Sequence, residues 1–195
     1  LINNAGVMVC PFGKTADGIE MQFGTNHIGH FLLTNLLMPA ILAGANPRIV
    51  NLSSAGHTHS DVNLDDPNFE KSEYNAWESY GRSKSANIHF TQEIVRRYGD
   101  RIQSFAVHPG VIMTELGRHL TPELMNEMTE RVKSRATSSS QAKETGALPF
   151  KSVEAGAATQ VWASVTEKLS ENNGAYLGDC QVGVEGGNPS ESGYL

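Results

Sequence analysis

Apolar residues along the chain recur at three- and four-residue steps in three long stretches and crowd into short runs between them, a pattern of helices alternating with strands. The first helical stretch covers 16–42, where Ile19, Phe23, Ile28, Phe31, Leu32, Leu36 and Leu37 keep helical spacing. Gly24 and Gly29 within it mark a close approach of backbone or ligand. The second covers 78–98: Phe90, Ile94 and Val95 lie on one side, and Tyr80, Lys84, Asn87, Ile88 and Thr91 share another. The third covers 153–169, and its Ala155-Gly156-Ala157-Ala158 start suits tight packing on a sheet. Strands are predicted at 1–4, 47–52, 102–107 and 174–177. Strands that alternate with helices predict one α/β domain with a parallel, doubly wound sheet, and no internal repeat is present.

Between these elements the chain is polar. Residues 57–76 read as a loop over the carboxyl ends of the strands, with His57 and His59 in solvent. Residues 115–151 hold a helical patch at 122–132 and Ser/Thr-rich text at 137–140, which suits a substrate lid and equally a plain surface. Leu116, Leu120, Leu124, Met125, Met128, Leu148 and Phe150 in this segment fit an apolar pocket, or merely a packed surface helix. The tail beyond 184, rich in Gly, Pro and Ser, reads as frayed.

Composition narrows the choices. With 39% hydrophobic and 18% charged residues, the 195-residue chain reads as globular, and no apolar run is long enough for a membrane span. A net charge of -6 argues against nucleic acid as a partner. Cys10 and Cys180 stand far apart without ligand spacing and read as reduced thiols of a cytoplasmic protein. His27 and His30 are three residues apart, as metal ligands can be. No Cys or acidic partner stands at ligand spacing, so no metal site is expected.

Chemistry concentrates in Tyr80-Gly81-Arg82-Ser83-Lys84, which places a phenol and an ammonium at i and i+4 on one helix face. An ammonium roughly 5 Å from the phenol, at an effective dielectric of about 20, favours the phenolate by ~3 kcal/mol. That is on the order of two pKa units, enough for acid/base work nearer neutrality. Ser53 and Ser54 end the strand at 47–52, where ligands bind in open α/β sheets, although serines there also serve as loop formers. Asn26 has the bland alternative of bonding its own helix backbone. After the strand at 102–107, His108-Pro109-Gly110 suits a turn that wraps a ligand.

Asn3-Asn4-Ala5-Gly6, Asn26, Ser53-Ser54, Tyr80 with Lys84, and Pro109-Gly110 with Thr114 follow the order and spacing found in short-chain dehydrogenase/reductases, and the chain resembles that family over its whole length. Finer text, including Asn26-His27-Ile28-Gly29-His30-Phe31 and Tyr176-Leu177-Gly178-Asp179-Cys180, resembles the retinol dehydrogenase and WW-domain oxidoreductase-like branch. The resemblance implies a Rossmann-like, three-layer α/β/α fold and hydride exchange between NADP or NAD, with NADP slightly favoured, and a small alcohol, aldehyde or ketone of lipophilic character. Tyr80 would be the general acid/base, and Lys84 would hold the nicotinamide ribose and depress the phenol. Ser54 would bond the substrate oxygen, and Asn26 would anchor a water behind Lys84. Asn3, Ala5 and Gly6 would line the ribose side of the cofactor, with Pro109, Gly110, Ile112 and Thr114 over the nicotinamide end. Homo-oligomers are common in the family through the helices that carry Asn26 and Tyr80.

The family's glycine-rich pyrophosphate turn and its NAD/NADP-selecting residue have no counterpart in the 195 residues. The chain accordingly reads as the carboxyl-terminal two-thirds of one domain, lacking the first strands of the sheet, with an exposed apolar edge at residues 1–4. Alone, it is expected to bind cofactor poorly and to be inactive. The rival reading is a non-catalytic binding or regulatory protein that keeps the scaffold.

Overall fold

The computed structural model describes residues 1–135 and 150–184. Its main sheet runs β1 (Ile2–Asn3), β2 (Arg48–Leu52), β3 (Gln103–His108), β6 (Tyr176–Gly178) and β7 (Gln181–Val182) in that spatial order. The first four strands are parallel, and β7 folds back antiparallel on β6. Its hairpin turn places Asp179 and Cys180 at φ 48° and 55°, the pair of left-handed positions that a two-residue hairpin favours.

Side-chain alternation along β2 divides the core. Ile49 faces α2 (Gly29–Leu42) and α3 (Ala76–Tyr98), packing with Met38, Phe90, Ile94 and Ile102. Val50 and Leu52 face the opposite side and pack with Phe105, Val107, Leu177 and with Ala163 of α5 (Val153–Val165). Helices thus cover both faces of a parallel sheet, the three-layer arrangement expected from the sequence. Asn51 points to the α3 side among apolar neighbours and is satisfied there: its Oδ1 accepts from Asn3 Nδ2 at 2.8 Å, and its Nδ2 donates to Thr91 Oγ1 at 2.9 Å. As predicted, β1 forms an edge of the sheet among the described residues, with Ile2 42% exposed.

Several elements depart from the sequence-based expectation. The helix predicted to begin at 16 begins with α1 (Met21–Phe23), because Lys14 and Glu20 close a bridge and the buried Glu20 carboxylate then caps the amides of Gln22 and Phe23. A π-helical turn, Gly24–Ile28, joins α1 to α2. The polar stretch after β2 opens with a 3-10 turn, Ala55–His59, and its histidines are half-buried and not fully solvated. His57 Nδ1 donates to the Ser54 carbonyl at 2.6 Å, and the His59 ring stacks 5.7 Å from Trp77. Asp66 then gathers the loop by accepting from the amides of Glu70, Lys71 and Ser72 and from the Ser72 hydroxyl. Beyond β3, a short strand β4 (Val111–Ile112) pairs in parallel with β5 (Phe150–Lys151). The predicted helical patch at 122–132 is α4 (Pro122–Arg135), whereas the Ser/Thr-rich text at 137–140, Leu148 and the tail beyond 184 lie outside the described residues.

Candidate active site

The segments that leave β1, β2 and β3 at their carboxyl ends converge on a cavity of about 730 Å³, and α3 supplies its deep wall. Ser54 caps the 3-10 turn, its Oγ accepting the Gly56 amide at 3.0 Å. The Ser54 hydroxyl lies within reach of the Tyr80 phenol, where it favours the phenolate. Tyr80 is seated by close contact, since a Cβ on Gly56 would lie 2.7 Å from ring atom Cε1. The helix is pressed against the same turn: a Cβ on Gly81 would lie 2.9 Å from the Gly56 carbonyl oxygen and from the Ser60 amide nitrogen.

Lys84 stands one helical turn beyond Tyr80, with Nζ 5.5 Å from the phenol ring centroid. Nζ donates to the Leu52 carbonyl at 3.1 Å. Asn87 fixes that carbonyl as well, donating Nδ2 to Leu52 O and to Asn26 O at 3.0 Å each. Tyr80 and Lys84 are only 4% and 5% exposed, and burial governs their protonation. Burial pushes the Tyr80 phenol up to about 12, and the Ser54 hydroxyl offsets part of the rise. Burial brings Lys84 down to about 8. The phenol of this chain is therefore raised, where charge–charge attraction alone predicted it lowered. The attraction estimate left out the cost of placing a phenolate away from water, which is the larger effect here.

Of the residues singled out from sequence, Ala5, Gly6, Ser54, Tyr80, Lys84, Pro109, Gly110, Ile112 and Thr114 all line this one cavity. Gly110 has φ +87°, and a Cβ there would lie 2.7 Å from the Lys151 side chain. Asn3 and Asn26 do not reach the cavity. Asn3 is buried behind it, donating to Thr34 and Asn51. The Asn26 amide clasps Val7, accepting from its N–H at 2.8 Å and donating to its carbonyl at 2.9 Å, and Nδ2 also donates to Ser83 Oγ. Both asparagines support the walls from behind.

The remaining wall is apolar. Leu116, Leu120, Met125, Met128 and Phe150 line it, as the pocket alternative required, while Leu124 does not. Sequence reasoning passed over Trp77 and His108. Trp77 precedes Tyr80 by three residues on α3, so helical spacing would have placed it on the same wall. His108 was read only as part of a turn, and it lines the cavity too. Among the described residues no cluster of His, Cys, Asp or Glu could hold a metal ion, and no helix is long and apolar enough to cross a membrane.

Comparison with known proteins shows the family and the fold. A family model described as short chain dehydrogenase matches residues 1–124. Retinol dehydrogenase 14 of Homo sapiens is 42% identical over 182 residues, covering 93% of this chain and 50% of that protein. The short-chain dehydrogenase/reductase prx1 of Penicillium roqueforti is 41% identical over 202 residues, covering 100% of this chain and 54% of its own length. The chain spans about half the length of the curated relatives it matches. Among solved structures, an uncharacterized protein from Mycobacterium Paratuberculosis superposes with a TM-score of 0.63 at 31% identity, covering 91% of this chain and 52% of that one. The NADPH-bound carbonyl reductase from chicken fatty liver shares the fold, with a TM-score of 0.55 at 22% identity, covering 91% of this chain and 61% of that one.

Proposed function

Because the chain belongs to the short chain dehydrogenase family, with retinol dehydrogenases among its relatives, we propose that the protein carrying it is an NAD(P)-dependent oxidoreductase interconverting an alcohol and its aldehyde or ketone. The observation that carries this reading is that Ser54, Tyr80 and, one helical turn along, Lys84 share the wall of one largely apolar cavity. Tyr80 gives its proton to the carbonyl oxygen during reduction and recovers it during oxidation. Ser54 bonds the same oxygen and orients it. A phenol held at about 12 is protonated at neutral pH, the form that reduction needs. Asn26, through Val7 and Ser83, holds the cavity wall and the helix turn between Tyr80 and Lys84 in place.

The strand-end side of the cavity fits a nicotinamide ribose. Ala5, Gly6 and Gly110 contribute little or no side chain of their own to that side, and Lys84 brings an ammonium to it. In this reading Lys84 holds the ribose hydroxyls and Pro109, Ile112 and Thr114 border the nicotinamide. The dinucleotide, NADP in preference to NAD, supplies or accepts the hydride when bound. The substrate is lipophilic, a reading supported by the Leu116, Leu120, Met125, Met128 and Phe150 wall. Residues 115–151 act as its lid, rooted where β4 and β5 lie side by side. The exposed Phe31, Leu33 and Leu36 of α2 support a homo-oligomer built on that helix. The isolated 195 residues, whose β1 edge is bare, bind dinucleotide weakly and turn over little.

The test is nicotinamide absorbance in the full-length protein, with NADPH or NADH and a panel of lipophilic aldehydes and ketones. Turnover that disappears in Tyr80→Phe supports the reading. No turnover with any pair, or undiminished turnover in the variant, rejects it. A non-catalytic scaffold finds no support in a site that keeps Ser54, Tyr80 and Lys84 together.

A further inference from the structure

His108 ends β3 and lines the cavity beside Pro109 and Gly110, yet the proton-handling scheme above makes no use of it. Its Nδ1 lies 3.2 Å from the backbone nitrogen of Ala55. A backbone N–H can only donate, so Nδ1 presents its lone pair, and a neutral imidazole must then carry its proton on Nε2. Neutrality follows from the surroundings: burial first, then the nearby Lys151 and His57, bring the ring down to about 4. No acceptor among the described residues takes the Nε2 proton. His108 lines the cavity, and with Nδ1 engaged by Ala55, Nε2 is the ring nitrogen left to serve a ligand there.

The geometry points to His108 Nε2–H as a ligand-binding donor that hydrogen-bonds an uncharged carbonyl-type oxygen of whatever the cavity holds. Under the dehydrogenase reading, on which this inference rests, that oxygen belongs either to the carboxamide of the nicotinamide or to the carbonyl substrate. A neutral donor in a cavity that Val111, Ile112, Phe150 and Val153 also line suits an uncharged acceptor. Lys151, the cation that acts on the ring, is paired with Asp179, which weakens its pull on a carboxylate. The Ala55 bond does more than fill a valence. It locks the tautomer and the ring angle, so the donor is aimed before any ligand arrives.

Two substitutions separate this role from simple support of the Ala55 turn. His108→Asn keeps an acceptor near the Nδ1 position but has no atom where Nε2 stands. His108→Gln returns an amide nitrogen near Nε2 and loses the Nδ1 acceptor. In the full-length protein, the dissociation constant of NADP⁺ is read by calorimetry and the KM of a carbonyl substrate at saturating NADPH by absorbance. A donor role predicts that His108→Asn weakens one of the two by about 5- to 10-fold while His108→Gln stays within about threefold. A raised nucleotide constant assigns the bond to the carboxamide, and a raised KM assigns it to the substrate. His108→Asn with both values at wild-type level, or His108→Gln as the weaker binder, overturns the inference. Nitrogen-15 NMR adds a readout free of turnover: the His108 Nε2–H signal is expected in the free protein and moves when NADP⁺ or the carbonyl compound is added. Binding that responds to His108 without any turnover counts against the dehydrogenase reading alone. A protein that binds neither compound defeats both.

Discussion

Replacing Gly56 by alanine tests whether the Ser54–Tyr80 geometry carries the activity. The backbone there is not left-handed, so the effect is purely steric. The new methyl would lie 2.7 Å from Tyr80 Cε1 and 2.9 Å from Cδ1. To reach an ordinary contact near 3.4 Å the ring must retreat by about 0.7 Å. Escape along the helix is blocked, because Gly81 already rests on the Gly56 carbonyl and the Ser60 amide. A retreat of that size changes the separation of Tyr80 from Ser54 and shifts the proton donor off the reacting oxygen. Misplacements near 1 Å cost up to ~10²-fold in rate, so kcat should fall by roughly 10- to 100-fold. Overpacking should also cost about 1–3 kcal/mol of stability. Steady-state turnover, nucleotide affinity and urea denaturation of the full-length protein check the three parts. Wild-type kcat with unchanged stability would show that the ring is not held where the argument needs it. A loss confined to nucleotide affinity would place the damage in the cofactor side instead.

Other outcomes follow from the same structure. Tyr80→Phe should lower kcat by at least ~10²-fold while costing about 1 kcal/mol in urea denaturation, since only the hydroxyl beside Ser54 is removed. His108 titrates near 4 when folded and near 6.5 when unfolded, so the unfolded chain takes the proton first. Its contribution to stability is therefore complete above pH 6.5 and declines by about 3 kcal/mol toward pH 4. Denaturation midpoints of the wild type and His108→Asn across that window should diverge, the variant being flatter. Asp66→Asn places an amide nitrogen among the amides of Glu70, Lys71 and Ser72, and hydrogen exchange at those three should accelerate roughly tenfold while α3 stays protected.

What the sequence disclosed and what it withheld follow from the reach of its patterns. β2 and β3 were legible as short buried runs and α3 because it repeats its period several times, and the i, i+4 spacing put Tyr80 and Lys84 on one wall. β4, β5 and β7 hold two residues each and exist only through a distant partner, so no local period announces them. The π-helical turn leaves the apolar spacing almost unaltered and was equally silent. Asn3 and Asn26 stood in the right motifs, but a motif gives position and not direction, and both face inward. The raised Tyr80 phenol was beyond reach for a different reason: desolvation depends on what surrounds the whole side chain, which spacing along one helix does not contain.

The parallel pairing of Val111 with Phe150 and Ile112 with Lys151 brings the two ends of the 113–149 segment to a single doorway. Residues inserted or deleted between those two thresholds would redraw the entrance without moving a rung of the main sheet, and closing a longer excursion adds only about 0.6 kcal/mol per doubling. Under the proposed lid role, substrate range can thus drift in one stretch of sequence while Ser54, Tyr80 and Lys84 stay where they are.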